Sequence, residues 1–348
     1  MGAAMSDDYL WDPSAPPDPD VERMERILGR LRTTAVARDF SPVLPRAHRS
    51  TRYVGARFLA PALAAAAAIA LMVGSVRQGA RPAQSWHVAR LSGTPRIGAR
   101  GVSHASRLAI GETLATDAAS TARVEVSSVG EVTIGENTRM RLVDARAAHY
   151  ELALERGSLH AVITAPPGQF VVSTPSATAT DLGCVYTLRV DEDGRGLLSV
   201  AAGWVAFEDH GRESFVPAGA SSRTYPAIGP GTPSYDDADA AFQQALEIVD
   251  VPQKDLDRRG EALRAVLARA RERDAMTLWH LIPRVAGDER DAVVAALAAR
   301  VAMPQGVARE AVLRLDRSAL DRWWDALGLL DTTWWRNWKT PVAGLRRN

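Results

Sequence analysis

The stretch that decides the fold is GCVYTLRVDEDGRGLLSVAAGWVAF, residues 183–207. It holds two short apolar runs, Val185–Val190 and Leu197–Val200, separated by the polar residues DEDG at 191–194. Such runs on either side of a turn that contains Asp and Gly are typical of a β-hairpin. The acidic turn resembles a calcium loop in composition, but it lacks the alternating ligand spacing of one. We therefore predict a hairpin turn at this position.

Similar short runs extend in both directions from this hairpin, between about Trp86 and Thr224. Residues such as Gly, Asp, Asn and Pro separate them at intervals of roughly 8–12 residues, which is the spacing expected of short strands. The further runs are Ala122–Val126, Val132–Ile134, Met140–Val143, Tyr150–Leu154, Ser158–Ile163, Phe170–Ser173, Trp204–Phe207 and Glu213–Val216. The pattern predicts an all-β domain over residues 85–224, built as a sandwich or as a solenoid of short strands.

The period of the apolar residues changes to that of helices after a Pro- and Gly-containing linker at 225–238. The predicted helices are Ala241–Val249, Leu256–Ala270, Ala275–Val285, Ala292–Val301, Val307–Leu315 and Leu320–Leu327. Candidate helix starts or caps are Asp250, Asp274, Asp288 and Ser318. These features predict a C-terminal all-α domain of helical hairpins at 239–348.

Upstream of the β region, Phe58–Val76 carries no charged residue and lies between Arg57 and Arg77. A helix of this length spans about 28 Å, close to the thickness of a bilayer core. We expect a transmembrane helix at 58–76. A buried core helix and a cleaved signal peptide are the alternatives, although the 57 preceding residues far exceed the n-region of a signal peptide. Arginines on the two sides slightly favour a cytoplasmic N-terminus.

Residues 1–57 are expected to be a mostly disordered cytoplasmic segment with one amphipathic helix at Val21–Leu31. Met24, Ile27, Leu28 and Leu31 fall on one face of that helix. Such a stripe suits docking into a groove of a partner protein, so these four residues are candidate partner-binding residues. A partly formed helix without a partner is equally compatible with the pattern.

The composition argues against several classes of function. The net charge of +1 provides no overall attraction for nucleic acid. One cysteine cannot form an internal disulfide, and no cluster of histidines accompanies it to complete a zinc site. The chain contains no phosphate-binding loop, no HExxH helix and no GxSxG elbow. We expect no catalytic, cofactor-binding or metal-binding residues and therefore no enzyme activity.

Two features of the sequence could suggest chemistry or binding. Cys184 follows Gly183 within a predicted strand with no adjacent base, so we expect a buried small residue rather than a reactive thiol. Trp323 and Trp324 belong to a C-terminal group of tryptophans with Trp334, Trp335 and Trp338. Core packing, a protein-binding surface and contact with a membrane interface all remain open for this group.

The order of the short motifs resembles the FecR family. The matching stretches are GETLAT at 111–116, ARVEV at 122–126, GEVTI at 130–134, NTR at 137–139, LERGSL at 154–159, FVVSTP at 170–175, GCVYTL at 183–188 and LSVAAGWV at 198–205. Cys184 stands where the family usually has Thr. The helical part lies outside the resemblance.

The resemblance implies a single-pass protein of the bacterial inner membrane, with its C-terminal domains in the periplasm. It also implies a regulator that passes an envelope signal inward, to a sigma factor or another transcription regulator. The chain lacks the His-xxx-Cys-xx-Cys pattern of zinc-bearing anti-sigma factors, and its N-terminal segment is short. Expected partners are a cytoplasmic regulator and a periplasmic or outer-membrane protein. The alternative is a membrane-tethered periplasmic scaffold that binds proteins without signalling.

Overall fold

The computed structural model describes residues 85–103 and 106–329. The expected transmembrane segment Phe58–Val76 and the amphipathic stripe of Val21–Leu31 lie outside these residues. None of the helices within the described ranges is long and apolar enough to cross a membrane. The β region and the helical region are both described, so their predicted elements can be compared with the observed ones.

The β region contains short strands from Ser85 to Tyr235. Their bounds are β1 Ser85–Ser92, β2 Arg96–Ile97, β3 Arg100–Gly101, β4 Ser106–Ala109, β5 Thr113–Ala115, β6 Thr121–Val126, β7 Gly130–Ile134, β8 Arg139–Arg146, β9 His149–Ile163, β10 Phe170–Ser173, β11 Thr178–Asp181, β12 Val185–Val190, β13 Gly196–Ala202, β14 Trp204–Asp209, β15 Arg212–Pro217, β16 Ala220–Tyr225, β17 Gly229–Pro230 and β18 Ser234–Tyr235. Each predicted run corresponds to part of one of these strands.

The strands form two sheets that are joined through β9. The first sheet has the order β4-β1-β6-β7-β9-β12-β13-β16, with β17 and β18 both paired to β16. The second has the order β3-β2-β5-β8-β9-β10-β11-β14-β15. Within the described chain only β9 and β10 pair in parallel. Antiparallel pairing of this kind favours the sandwich over a parallel solenoid.

Strand β9 passes from one sheet to the other at Gly157. Residues before it pair with β8 and β10, and those from Gly157 onward pair with β7 and β12. The backbone at Gly157 has a φ of +93°, and a Cβ there would lie 2.3 Å from the Oγ1 atom of Thr138. Only glycine fits this bend, because any side chain would be strained and would collide with Thr138.

The core of the sandwich follows the alternation in the sequence. In β12, the side chains of Tyr186, Leu188 and Val190 are buried, whereas Arg189 is exposed. Leu188 lies opposite Leu159 of β9 and Leu198 of β13, and all three are at most 1% exposed. Apolar rows across neighbouring strands are the main stabilising contacts of such a sheet. The hairpin that connects β12 to β13 through residues 191–195 confirms the predicted turn.

Within residues 236–329 of the described chain, six helices follow the strands. They are α1 Ala240–Asp250, α2 Leu256–Arg269, α3 Ala275–Leu281, α4 Gly287–Ala298, α5 Arg309–Leu313 and α6 Arg317–Ala326, with a short 3-10 turn, Ile282–Arg284, after α3. Side chains of Asp239, Asp255 and Asp316 cap α1, α2 and α6. The helical region therefore agrees with the predicted all-α character.

The predicted caps are only partly correct. Asp274 precedes α3, but its carboxylate bonds to Arg271 and makes no cap hydrogen bond. Asp288 and Ser318 lie inside the first turns of α4 and α6 rather than before them. Asp250 is the last residue of α1 rather than a cap before the next helix, and its side chain is buried. Its carboxylate bonds to residues of the β region, and these contacts cannot be read from the spacing along one helix.

Residues 225–238 are not a free linker. Gly229–Pro230 and Ser234–Tyr235 both pair with β16, so the sheet continues almost to the start of α1. The Pro and Gly residues that suggested a linker form the turns between these very short strands. As a result the helices pack directly against the sandwich, and both regions contribute to one continuous apolar core.

Candidate functional site

The most elaborate buried arrangement lies where the helices meet the sandwich, which we call the seam. At its centre Trp324 of α6 is fully buried. Its ring lies 4.8 Å from the ring of Trp279, 5.4 Å from His280, 5.7 Å from Phe215 and 6.2 Å from Trp204, measured between centroids. Most of these pairs are edge-on, the arrangement that aromatic quadrupoles prefer. The seam is thus a packed interface between β14, β15, α3 and α6.

His280 fastens α3 to strand β15. Its Nε2 atom accepts a hydrogen bond from the backbone N–H of Phe215 at 3.0 Å, so that nitrogen carries no proton. The proton of the neutral ring therefore lies on Nδ1, which donates to the carbonyl oxygen of Met276 at 2.9 Å. With both nitrogens engaged and the side chain 1% exposed, His280 positions the two elements and is not available as a base.

A second set of seam contacts centres on the buried Arg284. Its guanidinium donates to the hydroxyls of Thr232 and Ser214, each at 2.7 Å, and to the carbonyl oxygen of Glu213 at 3.0 Å. Asp250 lies 3.5 Å from the same guanidinium. The carboxylate of Asp250 also accepts the backbone N–H and the hydroxyl of Thr232, both at 2.6 Å. One buried charge pair therefore joins the end of α1, the 3-10 turn after α3, strand β15 and the loop between β17 and β18.

The Arg284–Asp250 pair is buried, and the backbone at Gly231 lies close to the carboxylate of Asp250. Burial lowers the pKa of Arg284 to about 10, and nearby Arg212 acts in the same direction, whereas Asp250 raises it. Arg284 is still protonated at neutral pH, so the pair is ionic there. A Cβ on Gly231 would lie 2.8 Å from the Oδ2 atom of Asp250, so only glycine leaves room for that carboxylate.

Two cavities flank this charge pair. The first, which we call the polar cavity, has a volume of about 310 Å³ and lies between the outward faces of β13 and β16 and the helix α1. The second, the aromatic cleft, has about 520 Å³ and lies between the β14–β15 hairpin, α3 and α6. Asp250 and Thr232 line the polar cavity, and Arg284 lines the aromatic cleft. The network therefore connects the walls of both cavities.

A third buried polar cluster lies inside the sandwich at Cys184. The thiol is 2% exposed, which confirms the expected burial, and it donates to the carboxylate of Asp181. Asp181 also accepts the backbone N–H of Gly183 at 2.6 Å. Burial raises the pKa of Asp181 to about 6 and, together with the nearby carboxylate, raises the pKa of the thiol far above its ordinary value. Cys184 is therefore not a nucleophile at neutral pH.

We expected no adjacent base at Cys184, but the structure places the carboxylate of Asp181 beside its thiol. The chain folds back at Leu182 and Gly183, which places Asp181 at the end of β11 beside the start of β12. Asp181 is three positions from Cys184 in the sequence, and a turn with a positive φ at Gly183 brings the two side chains together.

The residues selected from sequence have different outcomes. Met24, Ile27, Leu28 and Leu31 lie outside the described residues, and so do Trp334, Trp335 and Trp338. Trp323 and Trp324 are fully buried, so core packing is confirmed for these two tryptophans.

Sequence reasoning missed the centres of the seam, His280 and Arg284. Arg284 follows Leu281, Ile282 and Pro283 and precedes Val285, so a charged residue within a buried apolar run was the available signal. The partners of Arg284 are 34 to 71 positions away in the sequence, a separation that no local pattern reports. Within the described residues no group of three or more His, Cys, Asp or Glu side chains could hold a metal ion.

The comparisons with known proteins concern the β region. Residues 112–206, from just before β5 to the middle of β14, match the family described as FecR protein. This segment is a FecR-like domain. The sequence resemblance is thereby confirmed, and the FecR-like domain lies wholly within the sandwich. The helices, and with them most of the seam, lie outside the matched segment.

Two crystal structures of a proposed anti-sigma factor from Parabacteroides distasonis ATCC 8503 are similar to this chain at 17% sequence identity, with TM-scores of 0.31 and 0.32. Each alignment covers 38% of this chain, and the chain spans 63% and 62% of those two proteins. Both TM-scores lie below the range that establishes a shared overall fold. Among curated proteins, none matches the chain.

Proposed function

We propose that the protein is a membrane-anchored regulator that passes an envelope signal to a sigma factor or another transcription regulator. The observation that carries this proposal is the match of residues 112–206 to the FecR protein family. That resemblance implies binding and regulation rather than catalysis. In the proposal, Phe58–Val76 spans the inner membrane, the described domains lie in the periplasm, and residues 1–57 reach the cytoplasmic partner.

The seam suits a regulatory role because the helices and the FecR-like domain are held together by directional contacts. A partner or ligand that alters the position of α1, or of α3 and the 3-10 turn after it, acts on Asp250 or Arg284. These two groups bond to each other, and Arg284 also bonds to strand β15 of the sandwich. Signalling then requires two arrangements of this seam with different affinity for the partner. We propose that occupation of one cavity favours one of these arrangements.

The cytoplasmic step is tested with the full-length chain and the double variant Ile27→Asp/Leu28→Asp. If the apolar stripe of Val21–Leu31 docks in a groove, charges on it abolish binding, while membrane insertion and the folded domains are unaffected. The measurement is co-purification of a sigma factor or other regulator, together with transcript levels. A matched control is Asp18→Asn/Asp20→Asn, which changes two charges outside the stripe.

The competing function is a tethered scaffold that binds envelope proteins without signalling. The continuous core between sandwich and helices favours it, because a rigid platform needs no second arrangement. If neither the wild type nor the variant retains a cytoplasmic partner, and deletion of residues 6–36 changes no transcript, the scaffold is the correct function. Reporter fusions at Arg52 and Ser85 test the topology, and an active periplasmic reporter at Arg52 would exclude it.

A further inference from the structure

The polar cavity is lined by a mixture of groups that recognises a particular class of ligand. On its floor Ser199 of β13 lies opposite Ser221 of β16, and the two hydroxyls are 2.8 Å apart. Ser221 is also 2.6 Å from the carboxylate of Asp236. The Ser221 hydroxyl is the donor toward both oxygens, and its single hydrogen favours the charged carboxylate of Asp236. This direction leaves acceptor lone pairs on Ser199 and Asp236 at the cavity wall.

Helix α1 and the C-terminal half of β16 supply further acceptors and a donor. Glu247 of α1 pairs with the guanidinium of Arg223, and both line the cavity. The phenol of Tyr225 also lines it, and burial raises the pKa of Tyr225 above its ordinary value, with Asp250 and Glu247 adding to the effect. Tyr225 therefore stays neutral and can donate a hydrogen bond at physiological pH.

The same cavity has an apolar side. Leu197 lies beside Ser199 on β13, and Leu246 faces the cavity from α1. Together with the ring of Tyr225 they offer carbon surface next to the hydroxyls and carboxylates. A wholly apolar ligand would leave these polar groups unsatisfied, which costs free energy. A ligand must therefore present both carbon–hydrogen surface and several hydrogen-bonding groups within a small volume.

The charges that line the polar cavity further restrict the class of ligand. The charged groups that line the cavity are three carboxylates, Asp236, Glu247 and Asp250, and one guanidinium, Arg223. Asp250 is paired with Arg284 and Glu247 with Arg223, so Asp236 provides the uncompensated charge. A negatively charged ligand such as a phosphate ester or a uronic acid would be repelled. The volume of about 310 Å³ is at the lower end for ligand pockets.

We propose that the polar cavity binds an uncharged sugar of one or two rings. A sugar ring presents a face of carbon–hydrogen bonds to Leu197, Leu246 and Tyr225, and its rim of hydroxyls both donates and accepts. Sugar hydroxyls donate to Asp236 and Ser199 and accept from Tyr225. The proposal does not depend on sigma-factor regulation, because binding is measured on the purified protein without a partner.

The test uses the full-length protein, purified in a detergent without a sugar headgroup so that the detergent cannot compete. Saturation-transfer NMR and calorimetry are recorded with glucose, N-acetylglucosamine and glucuronic acid. We expect saturable binding of at least one uncharged sugar, and binding of glucuronic acid at least tenfold weaker than that of the better uncharged sugar. Glucose and glucuronic acid form a matched pair that differs only in oxidation at C6.

Two variants locate the bound sugar in this cavity. Asp236→Asn removes the charged acceptor and should weaken binding about tenfold, because hydrogen bonds to charged groups are the stronger ones. Ser199→Leu fills the cavity and should abolish binding. Asp257→Asn, an equal charge change at an exposed position of α2 outside the cavity, should bind as the wild type does. Circular dichroism confirms that each variant is folded.

Three results would overturn the proposal. They are the absence of saturable binding for both uncharged sugars, equal binding of glucose and glucuronic acid, and unchanged binding by folded Asp236→Asn and Ser199→Leu. If the wild-type protein binds no sugar but still co-purifies with a regulator, only this inference is refuted and the proposed function stands. Retained sugar binding without any cytoplasmic partner would refute the proposed signalling function alone.

Discussion

The interior of the sandwich and the seam exclude water to a similar degree but do so with different chemistry. In the sandwich, Leu159, Leu188 and Leu198 form a row that needs only apolar contact across neighbouring strands. At the seam, the buried Arg284 and His280 must satisfy hydrogen bonds in fixed directions. Apolar contact tolerates exchange of similar side chains, whereas a buried charge pair tolerates little. The comparison shows that the seam defines the relative placement of helices and strands.

The largest expected effect comes from the apolar side of this comparison. Phe170 of β10 is fully buried, and Phe170→Ala should lower the free energy of unfolding by about 3–5 kcal/mol, because a cavity remains in the core. Denaturant unfolding of the described domains measures it. The control is Leu256→Ala at a side chain that is 75% exposed, where we expect a change within about 0.5 kcal/mol. A native-like midpoint for Phe170→Ala would show that the sandwich tolerates a void.

The seam is tested by Arg284→Met, which keeps a long side chain but removes the charge. Loss of the partner leaves the carboxylate of Asp250 buried, so we expect a destabilisation of about 3 kcal/mol. Arg269→Met is the matched control, since Arg269 pairs with Asp239 at the surface and should contribute about 0–1 kcal/mol.

The double variant Arg284→Met/Asp250→Asn sharpens the same test. Because it removes both charges, its loss of stability should be smaller than the sum of the two single losses. Strict additivity would mean that the two side chains do not act as a pair. If the wild type unfolds in one transition and the single variant Arg284→Met unfolds in two, the network is what makes the helices and the sandwich unfold together.

The buried carboxylate of Asp181 predicts a pH dependence inside the sandwich. Its pKa is about 6 in the folded protein, above the ordinary carboxyl value, because of burial. The folded state therefore holds more protons than the unfolded state between about pH 4 and 6. Stability contributed by Asp181 is present below that range and is lost as the pH rises through it, by roughly 3 kcal/mol.

The measurement is the difference in unfolding free energy between the wild type and Asp181→Asn, followed from pH 4 to 7. The advantage of the wild type should decrease steadily up to about pH 6 and then stay constant. The control Asp193→Asn, in the exposed hairpin turn, should show no such trend. A flat difference for Asp181→Asn would mean that its carboxyl is not desolvated.

The smallest effect concerns Trp204, which is partly buried and packs against the edge of the Trp324 ring. We expect Trp204→Ala to cost about 1–2 kcal/mol, less than a core aromatic. Trp324→Ala is the comparison and should cost about 3–5 kcal/mol. Equal losses of unfolding free energy for both variants would show that Trp204 contributes as much to the core as Trp324 does.

The extent to which sequence reasoning succeeded differs between the two regions. Strands Phe170–Ser173 and Val185–Val190 were predicted with their exact observed bounds, because alternation and turn residues are local signals. The two runs Tyr150–Leu154 and Ser158–Ile163 belong to the single strand β9, because the bend at Gly157 keeps the hydrogen bonding continuous. Very short strands such as Gly229–Pro230 escaped prediction, since their pairing with β16 alone identifies them as strands.

The sequence by itself determined the FecR-like β domain, the change to helices after it and the position of the buried cysteine, because each depends on the order and period of neighbouring residues. Only the tertiary structure decided which polar residues are buried together. Arg284 meets Ser214 and Thr232 across 70 and 52 positions of sequence, and Ser199 meets Ser221 across 22. Periodicity tells which face of an element is buried, but it carries no information about which distant element covers that face.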